Sequence, residues 1–200
     1  MKQRQNSIEI LKYLISHDDE VLNISNIAKG ANVDYKNTYN IIKQFQKENI
    51  VNLQKFGNSN IVKLEKKMNS LIFETELQRK NEITKHHPIK VISEEFDAFP
   101  FPCLALLFGS YAKGTSNKHS DIDLLIVADE EKEIIIRRRL GIFPYDIHSI
   151  FFTFDDFVTM TISKEYTVVS EAVKHNVILH GIEQYYNLLS SAKKKYILET

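Results

Sequence analysis

Cysteine is nearly absent from this chain: Cys103 is the one thiol in 200 residues. No disulfide can close within one chain, and no cysteine-rich zinc site can be built. Cys103 lies in the apolar run CLALLF, which predicts a buried small side chain rather than a nucleophile. Net charge is missing too, with 26 basic and 26 acidic side chains, so no global field draws the molecule to nucleic acid or membrane. The N-terminus has no apolar signal region and no run approaches the length of a membrane span, so no membrane partner and a cytoplasmic location are expected. Internal repeats and low-complexity segments are also lacking.

What is present has the balance of an ordinary soluble protein, 43% hydrophobic and 26% charged, and is long enough for one large or two small domains. Charge is divided unevenly along the chain. Residues 1–70 hold 11 Lys and Arg against 7 Asp and Glu, and the remainder holds 15 against 19. A modestly basic first third and a modestly acidic remainder hint at two jobs.

In the first third, Ile8, Leu11, Leu14 and Ile15 recur at helical spacing. A short second helix follows with Ile24, Ile27 and Ala28. A third opens at Asp34, a good N-cap residue, with Tyr39, Ile42 and Phe45 expected on its apolar stripe. Two β-type runs then flank the turn sequence GNSN, a hairpin signature. Three helices and a hairpin in this order resemble a winged helix-turn-helix domain, here spanning residues 1–66. The resemblance implies that the third helix enters the major groove of duplex DNA. By position, Lys36, Asn37, Asn40, Lys43 and Gln44 would face outward toward phosphates and base edges, and Lys55 in the wing could contact phosphate. A protein-docking role fits the same pattern, because polar residues opposite an apolar stripe mark any soluble helix. Tight DNA binding by so small an interface implies a homodimer.

Residues 67–87 contain no proline or glycine, and Leu71, Ile72, Phe73 and Leu77 make a partial apolar face. A helical linker is expected there, with a second domain over 88–200. In that domain, CLALLF (103–108) and DIDLLIV (121–127) read as buried strands. Strand side chains alternate, so Asp121 and Asp123 project from one face. Two buried carboxylates repel and need a positive partner. A divalent cation meets the need, and magnesium takes carboxylates together with substrate phosphates. Gly109 lets a ligand approach the backbone closely. A short helix opening at Ser110 would turn N–H groups toward phosphates, with Lys113 adding positive charge.

At this point Phe108-Gly109-Ser110, ten residues, then Asp121-Ile122-Asp123 resembles the nucleotidyltransferase superfamily with the DNA polymerase β fold. The wording GSxAxGxxxxxSDxDLxV is nearly intact, as Gly109, Ser110, Ala112, Gly114, Ser120, Asp121, Asp123, Leu124 and Val127. The resemblance implies an α/β (α+β) fold, with a mixed sheet and C-terminal helices, over roughly 88–185. It implies transfer of a nucleoside monophosphate from a nucleoside triphosphate, ATP being expected, to an acceptor: a protein, a transfer RNA end or a small molecule. It further implies two Mg2+ ions on Asp121, Asp123 and a third acid. Asp146 in YDIHSI is the first choice for that acid, and His148, on the same face by alternation, is the alternative. Asp155 and Asp156 are assigned to capping the next helix. After Thr161 two helical stretches are expected, KEYTVVSEAVKHNVIL and then GIEQYYNLLSSAKKKYIL. The rival reading is a DNA-binding transcriptional regulator whose second domain only senses nucleotide or dimerises.

Overall fold

The computed structural model describes residues 2–57, 59–163 and 167–199, and the chain divides into two compact units, 1–75 and 76–200.

The first unit opens with α1 (Lys2–Ser16), α2 (Ile24–Gly30) and α3 (Tyr35–Lys47). Ile8, Leu11 and Leu14 of α1, Ile24 and Ile27 of α2, and Ile41, Ile42 and Phe45 of α3 are all buried. Their helical spacing is what drives these segments together, since burying each such side chain contributes about 1.5–3 kcal/mol. Asp34 starts α3: its carboxylate accepts from the Asn37 backbone N–H at 3.0 Å, which holds the carboxyl below its usual pKa. One expectation needs correcting. Tyr39 is 42% exposed, and the buried stripe runs through Thr38 instead. The reason is angular: position 38 lies one helical turn from Ile41 and Ile42, whereas 39 is rotated about 100° away. The antiparallel hairpin β1 (Val51–Phe56) and β2 (Ser59–Leu64) follows, with Val51 opposite Leu64 and Phe56 opposite Ser59.

The linker helix α4 (Ser70–Ile83) spans the division between the units. Its expected apolar face is not the buried one. Ile72 is buried, but Phe73 and Leu77 are exposed, and Thr75, Glu76 and Arg79 take the inside positions. Within the second unit, Arg79 Nη1 donates to Glu76 Oε2 at 2.6 Å and Arg79 Nη2 donates to the Asn176 carbonyl. Tyr186 Oη donates to Glu76 Oε1 at 2.7 Å. Burial beside Glu76 pushes the Tyr186 phenol well above its usual value, so it stays a neutral donor. A buried carboxylate with a guanidinium and a phenol is satisfied on both oxygens, the condition under which such a group is tolerated.

The second unit continues with α5 (His87–Asp97), β3 (Leu104–Phe108), the one-turn α6 (Gly109–Ala112), β4 (Ile122–Val127), α7 (Glu130–Leu140), β5 (Ile147–Phe152), α8 (Phe154–Ile162), α9 (Val168–Lys174), β6 (Val177–His180) and α10 (Ile182–Glu199). The four strands form one mixed sheet in the order β5-β4-β3-β6. Only β4 and β5 run parallel, and α7 supplies the crossover that parallel neighbours need. Alternate side chains of the sheet, including Ala105, Leu107, Leu124, Ile126 and Leu179, pack with Ile89, Ile92 and Phe96 of α5 and with Ile136 and Leu140 of α7. Cys103 joins this core, and burial pushes its thiol up to about 11, which makes it inert.

Two further expectations are revised. Val177–His180 is a strand, β6, and pairs with β3. A short apolar run fits helix or strand equally by periodicity, and only the vacant edge of β3 decides between them. Lys164, Glu165 and Tyr166, at the start of that expected helical stretch, lie outside the described residues. Thr153 rather than Asp155 or Asp156 caps α8: its hydroxyl accepts from the Asp156 N–H at 3.1 Å, and the two acids sit in the first turn.

Candidate active site

The acidic end of the sheet is built by register. In the antiparallel pair, Phe108 of β3 lies opposite Asp123 of β4. In the parallel pair, Asp123 lies beside His148 of β5 and Ile122 beside Ile147. Asp121 and Asp146 each stand one residue ahead of their strand, tied by the Ile122 N–H donating to the Asp146 carbonyl at 2.8 Å. Alternation then puts Asp121, Asp123, Asp146 and His148 on one face. Ile122 and Ile147 turn to the other, against the α5–α7 core.

His148 stands among three carboxylates. Its Nδ1 is 3.5 Å from Asp121 Oδ2 and 3.8 Å from Asp123 Oδ1, and its Nε2 is 3.6 Å from Asp146 Oδ1. Asp121, Asp146 and His148 can each bring one ligand atom within 4.8 Å of the others. The sequence left Asp146 and His148 as alternatives for one position; both are at the site. They are not equivalent. The Asp146 side chain is 73% exposed, against 30% for Asp123.

Asp123 is the most enclosed of the three carboxylates, and burial raises its pKa. His148 and Lys113 pull it back down, while Asp121 and Glu171 push it further up. Gly109 explains how it fits. This residue follows β3 and opens α6 with φ +67°, and a Cβ there would lie 2.0 Å from Asp123 Oδ2. The missing side chain is the seat of the carboxylate. Gly109 thus holds an acid in place, a tighter requirement than the ligand approach that its position in the sequence suggests.

Ser110 follows in α6 and is half-buried. The loop beyond is pinned by the Thr115 N–H donating to the Ser110 carbonyl at 3.0 Å and the Asn117 N–H donating to Ser120 Oγ at 2.8 Å. Lys113 is engaged: its Nζ lies 3.1 Å from Glu171 Oε1 of α9. Glu171 was not singled out in the sequence. It lies 58 residues from Lys113, and only the packing of α9 against β3 brings it to the site.

In the first unit, Lys36, Asn37, Asn40 and Gln44 are exposed on α3, and Lys43 is half-buried. Lys43 Nζ donates to Gln46 Oε1 at 3.3 Å and lies 5.9 Å from the Tyr39 ring centroid. Asn37 donates its side-chain amide to Asp34, and Gln44 Nε2 donates to Glu48 Oε1 at 2.9 Å. Lys55 is exposed on β1.

The second unit is thus a mixed sheet with flanking helices and an acidic cluster at one end. The family model described as Nucleotidyltransferase domain matches residues 89–180, the stretch that holds Gly109, all three carboxylates, His148 and β6. The match supports the nucleotidyltransferase superfamily for this unit, and with it nucleotidyl transfer in general, a nucleoside triphosphate substrate and use of a divalent metal. No curated protein and no solved structure gives a significant match to the chain. Among the described residues, no helix is long and apolar enough to cross a membrane.

Proposed function

We propose that the protein is a Mg2+-dependent nucleotidyltransferase that moves a nucleoside monophosphate, from ATP in the first instance, to an acceptor hydroxyl on a protein, a transfer RNA end or a small molecule. The observation that carries this is Gly109 at positive φ against Asp123, with Asp121, Asp146 and His148 on the same face. The donor set fits the metal: carboxylate oxygens are hard ligands, and clustered acids gain from a cation between them. When bound, divalent ions would neutralise phosphate charge and make the acceptor hydroxyl easier to deprotonate. Asp121 and Asp123 would hold magnesium against the triphosphate, and the backbone at Gly109 and Ser110 would position its phosphates. The acceptor oxygen bonds to the α-phosphorus. The bond from that phosphorus to the bridging oxygen breaks, and pyrophosphate leaves with the electron pair. Asp146, the most exposed carboxylate, takes the acceptor proton. Calorimetry with ATP, GTP, CTP and UTP, with and without Mg2+, tests the reading. Heat with at least one Mg2+–nucleotide is expected, and none at millimolar ligand would end it.

Lys113 would serve the triphosphate only by leaving Glu171. An exposed pair of this kind contributes about 0.2–1 kcal/mol. Glu171→Gln is therefore expected to tighten nucleotide binding by up to roughly fivefold, as measured by the dissociation constant of Mg2+–ATP. Unchanged or weaker binding would show that Glu171 does not compete for Lys113.

For the first unit, the proposal is a winged helix-turn-helix that binds duplex DNA as a homodimer. What supports it is the order of elements and the exposed polar face of α3. Each phosphate-contacting lysine releases condensed counterions, so Lys43→Ala should lower the slope of log affinity against log salt by about 1. Asn40→Ala should weaken one sequence more than others, because asparagine reads base edges. Salt titrations on DNA fragments near the protein's own gene measure both. No affinity even at low salt would make this unit a docking module. A purely regulatory protein, whose second unit senses nucleotide without transferring it, is the other reading. The specific observation in its favour is the Lys113–Glu171 pair. Labelled nucleoside triphosphates incubated with Mg2+, protein and cell lysate separate the two, since a sensor leaves no label on any acceptor.

A further inference from the structure

We infer that the second unit self-associates through the outer face of α7, two copies meeting antiparallel about a two-fold axis that passes between Ile134 and Ile135. The occupant of this face is a second copy of the same chain. The inference does not depend on nucleotide transfer or on DNA binding. It supplies an interface for the homodimer invoked above.

Three observations carry it. First, the face is apolar where the monomer gains nothing from it. Positions two apart on a helix are about 200° apart, so Ile134 and Arg138 stand opposite the buried Ile136 and Leu140. Ile134 is 76% exposed, and Ile135 beside it is exposed too. Gly141 keeps helical angles, φ −67° and ψ −6°, which carries Ile142, 73% exposed, on to the same side. Isoleucine is β-branched and a middling helix former, so its place on the outside of a helix costs propensity and gains no burial. One such exposed side chain is ordinary, but three together make a patch of the kind that marks an interaction site.

Second, the patch is self-complementary in charge. The first turn of α7 is acidic and its last turn is basic. Glu131 precedes Ile134 by three residues, and Arg138 follows Ile135 by three. The two-fold axis therefore sets Glu131 of each copy against Arg138 of the other, and Ile134 against Ile135. A symmetric contact of this isologous kind is the commonest route to a dimer. Parallel packing of the same faces would instead oppose like charges, which is unfavourable.

Third, these charges are not engaged within the monomer. Glu133 pairs with Arg137 at 2.7 Å, and Arg139 pairs with Glu95 of α5. Among the described residues Arg138 has no ion pair, and Glu131 reaches only Lys132, at 4.0 Å. The helix has 11 residues and is about 16 Å long. Two such faces bury less than the roughly 1,600 Å² of a standard interface, so association in the micromolar range is expected.

The test is sedimentation equilibrium of the full-length protein, without nucleotide or DNA, from low to high micromolar concentration. Wild type is expected to pass from monomer to dimer. Ile134→Asp alters a position already exposed in the monomer, so the melting temperature of the dilute protein should hold while association weakens at least roughly tenfold. Glu131→Arg and Arg138→Glu each set like charges together at both ends of the contact and should weaken it by a similar factor. Combining the two in one chain restores opposite charges and should return association to within roughly threefold of wild type. A wild type that stays monomeric would leave the face to a different protein and overturns the inference. So does a dimer indifferent to Ile134→Asp, or a double variant that associates no better than the single ones. Titrations of Mg2+–ATP and of duplex DNA on the same samples keep the readings apart: a monomer that binds either one loses only the interface.

Discussion

Gly109→Ala is expected to lower nucleotidyl transfer by at least about a hundredfold, the usual cost of displacing a reacting group by an ångström. The effect arises without touching any ionisable side chain. A methyl at this position would stand 2.0 Å from Asp123 Oδ2, closer than any real contact, so either the carboxylate or the backbone must move. The backbone is constrained on both sides: Phe108 is paired with Asp123 in the sheet, and the Lys113 N–H donates to the Gly109 carbonyl at 3.1 Å. The carboxylate is the softer party and swings away from its place beside Asp121. The positive φ adds a second cost, about 1–2 kcal/mol for an alanine held in the left-handed region. Two measurements check this: turnover with saturating nucleotide, and thermal unfolding. Gly114→Ala is the internal control. Gly114 has φ +69° but open space around its Cβ position, so it should show a similar stability loss with far less effect on turnover. Equal turnover losses at both positions would mean that backbone strain, and not displacement of Asp123, is responsible.

That contrast also shows what could be read from the residues. The string from Gly109 to Val127 pointed to the site, because strand alternation is a local rule: once Asp121 and Asp123 lie in one strand, they share a face. The same rule put Asp146 and His148 together, and the parallel register of β4 with β5 brought both pairs into one cluster. What could not be read came from long-range packing. Nothing near Val177 says that β3 lacks a partner on that edge, so local pattern alone continues the helix through Leu179. Glu171 reaches Lys113 only because α9 packs on the sheet. Glu76, Arg79 and Tyr186 are polar residues in helices, and their burial depends on satisfying one another across 110 residues. Local pattern assigns such side chains to the outside, and of the expected apolar face of Leu71, Ile72, Phe73 and Leu77 it is Ile72 that is buried, while Phe73 and Leu77 are exposed. Thr38 was missed in the opposite sense: its hydroxyl donates to the Asp34 carbonyl at 3.0 Å, which lets a polar side chain occupy an apolar stripe.

Asp123→Asn should nearly abolish transfer, by roughly a thousandfold, while raising the stability of the metal-free protein at neutral pH. The sign follows from the raised pKa. Burial, with help from Asp121 and Glu171, makes the ionised form of Asp123 unfavourable in the folded state. An unfolded aspartate titrates near about 3.9. Between that value and the higher folded one, the folded protein binds more protons than the unfolded chain, so this group's contribution to stability falls as pH rises through the window. Above the window the penalty is fully present; well below the unfolded value both states are protonated and it is gone. Asparagine keeps the shape without the charge, and Gly109 leaves room for it. The melting temperature of Asp123→Asn should therefore exceed that of wild type at pH 7 and converge with it as the pH is lowered through this window. Divalent metal should close or reverse the gap at pH 7, because an ion that binds the folded wild type stabilises it by mass action and has lost its ligand in the variant. Melting curves of both proteins across pH, with and without Mg2+ or Mn2+, give all three comparisons. A variant less stable than wild type in metal-free buffer at pH 7 would mean that Asp123 is held by favourable contacts outweighing its burial. A variant stabilised by metal as much as wild type would remove Asp123 from the ligand set.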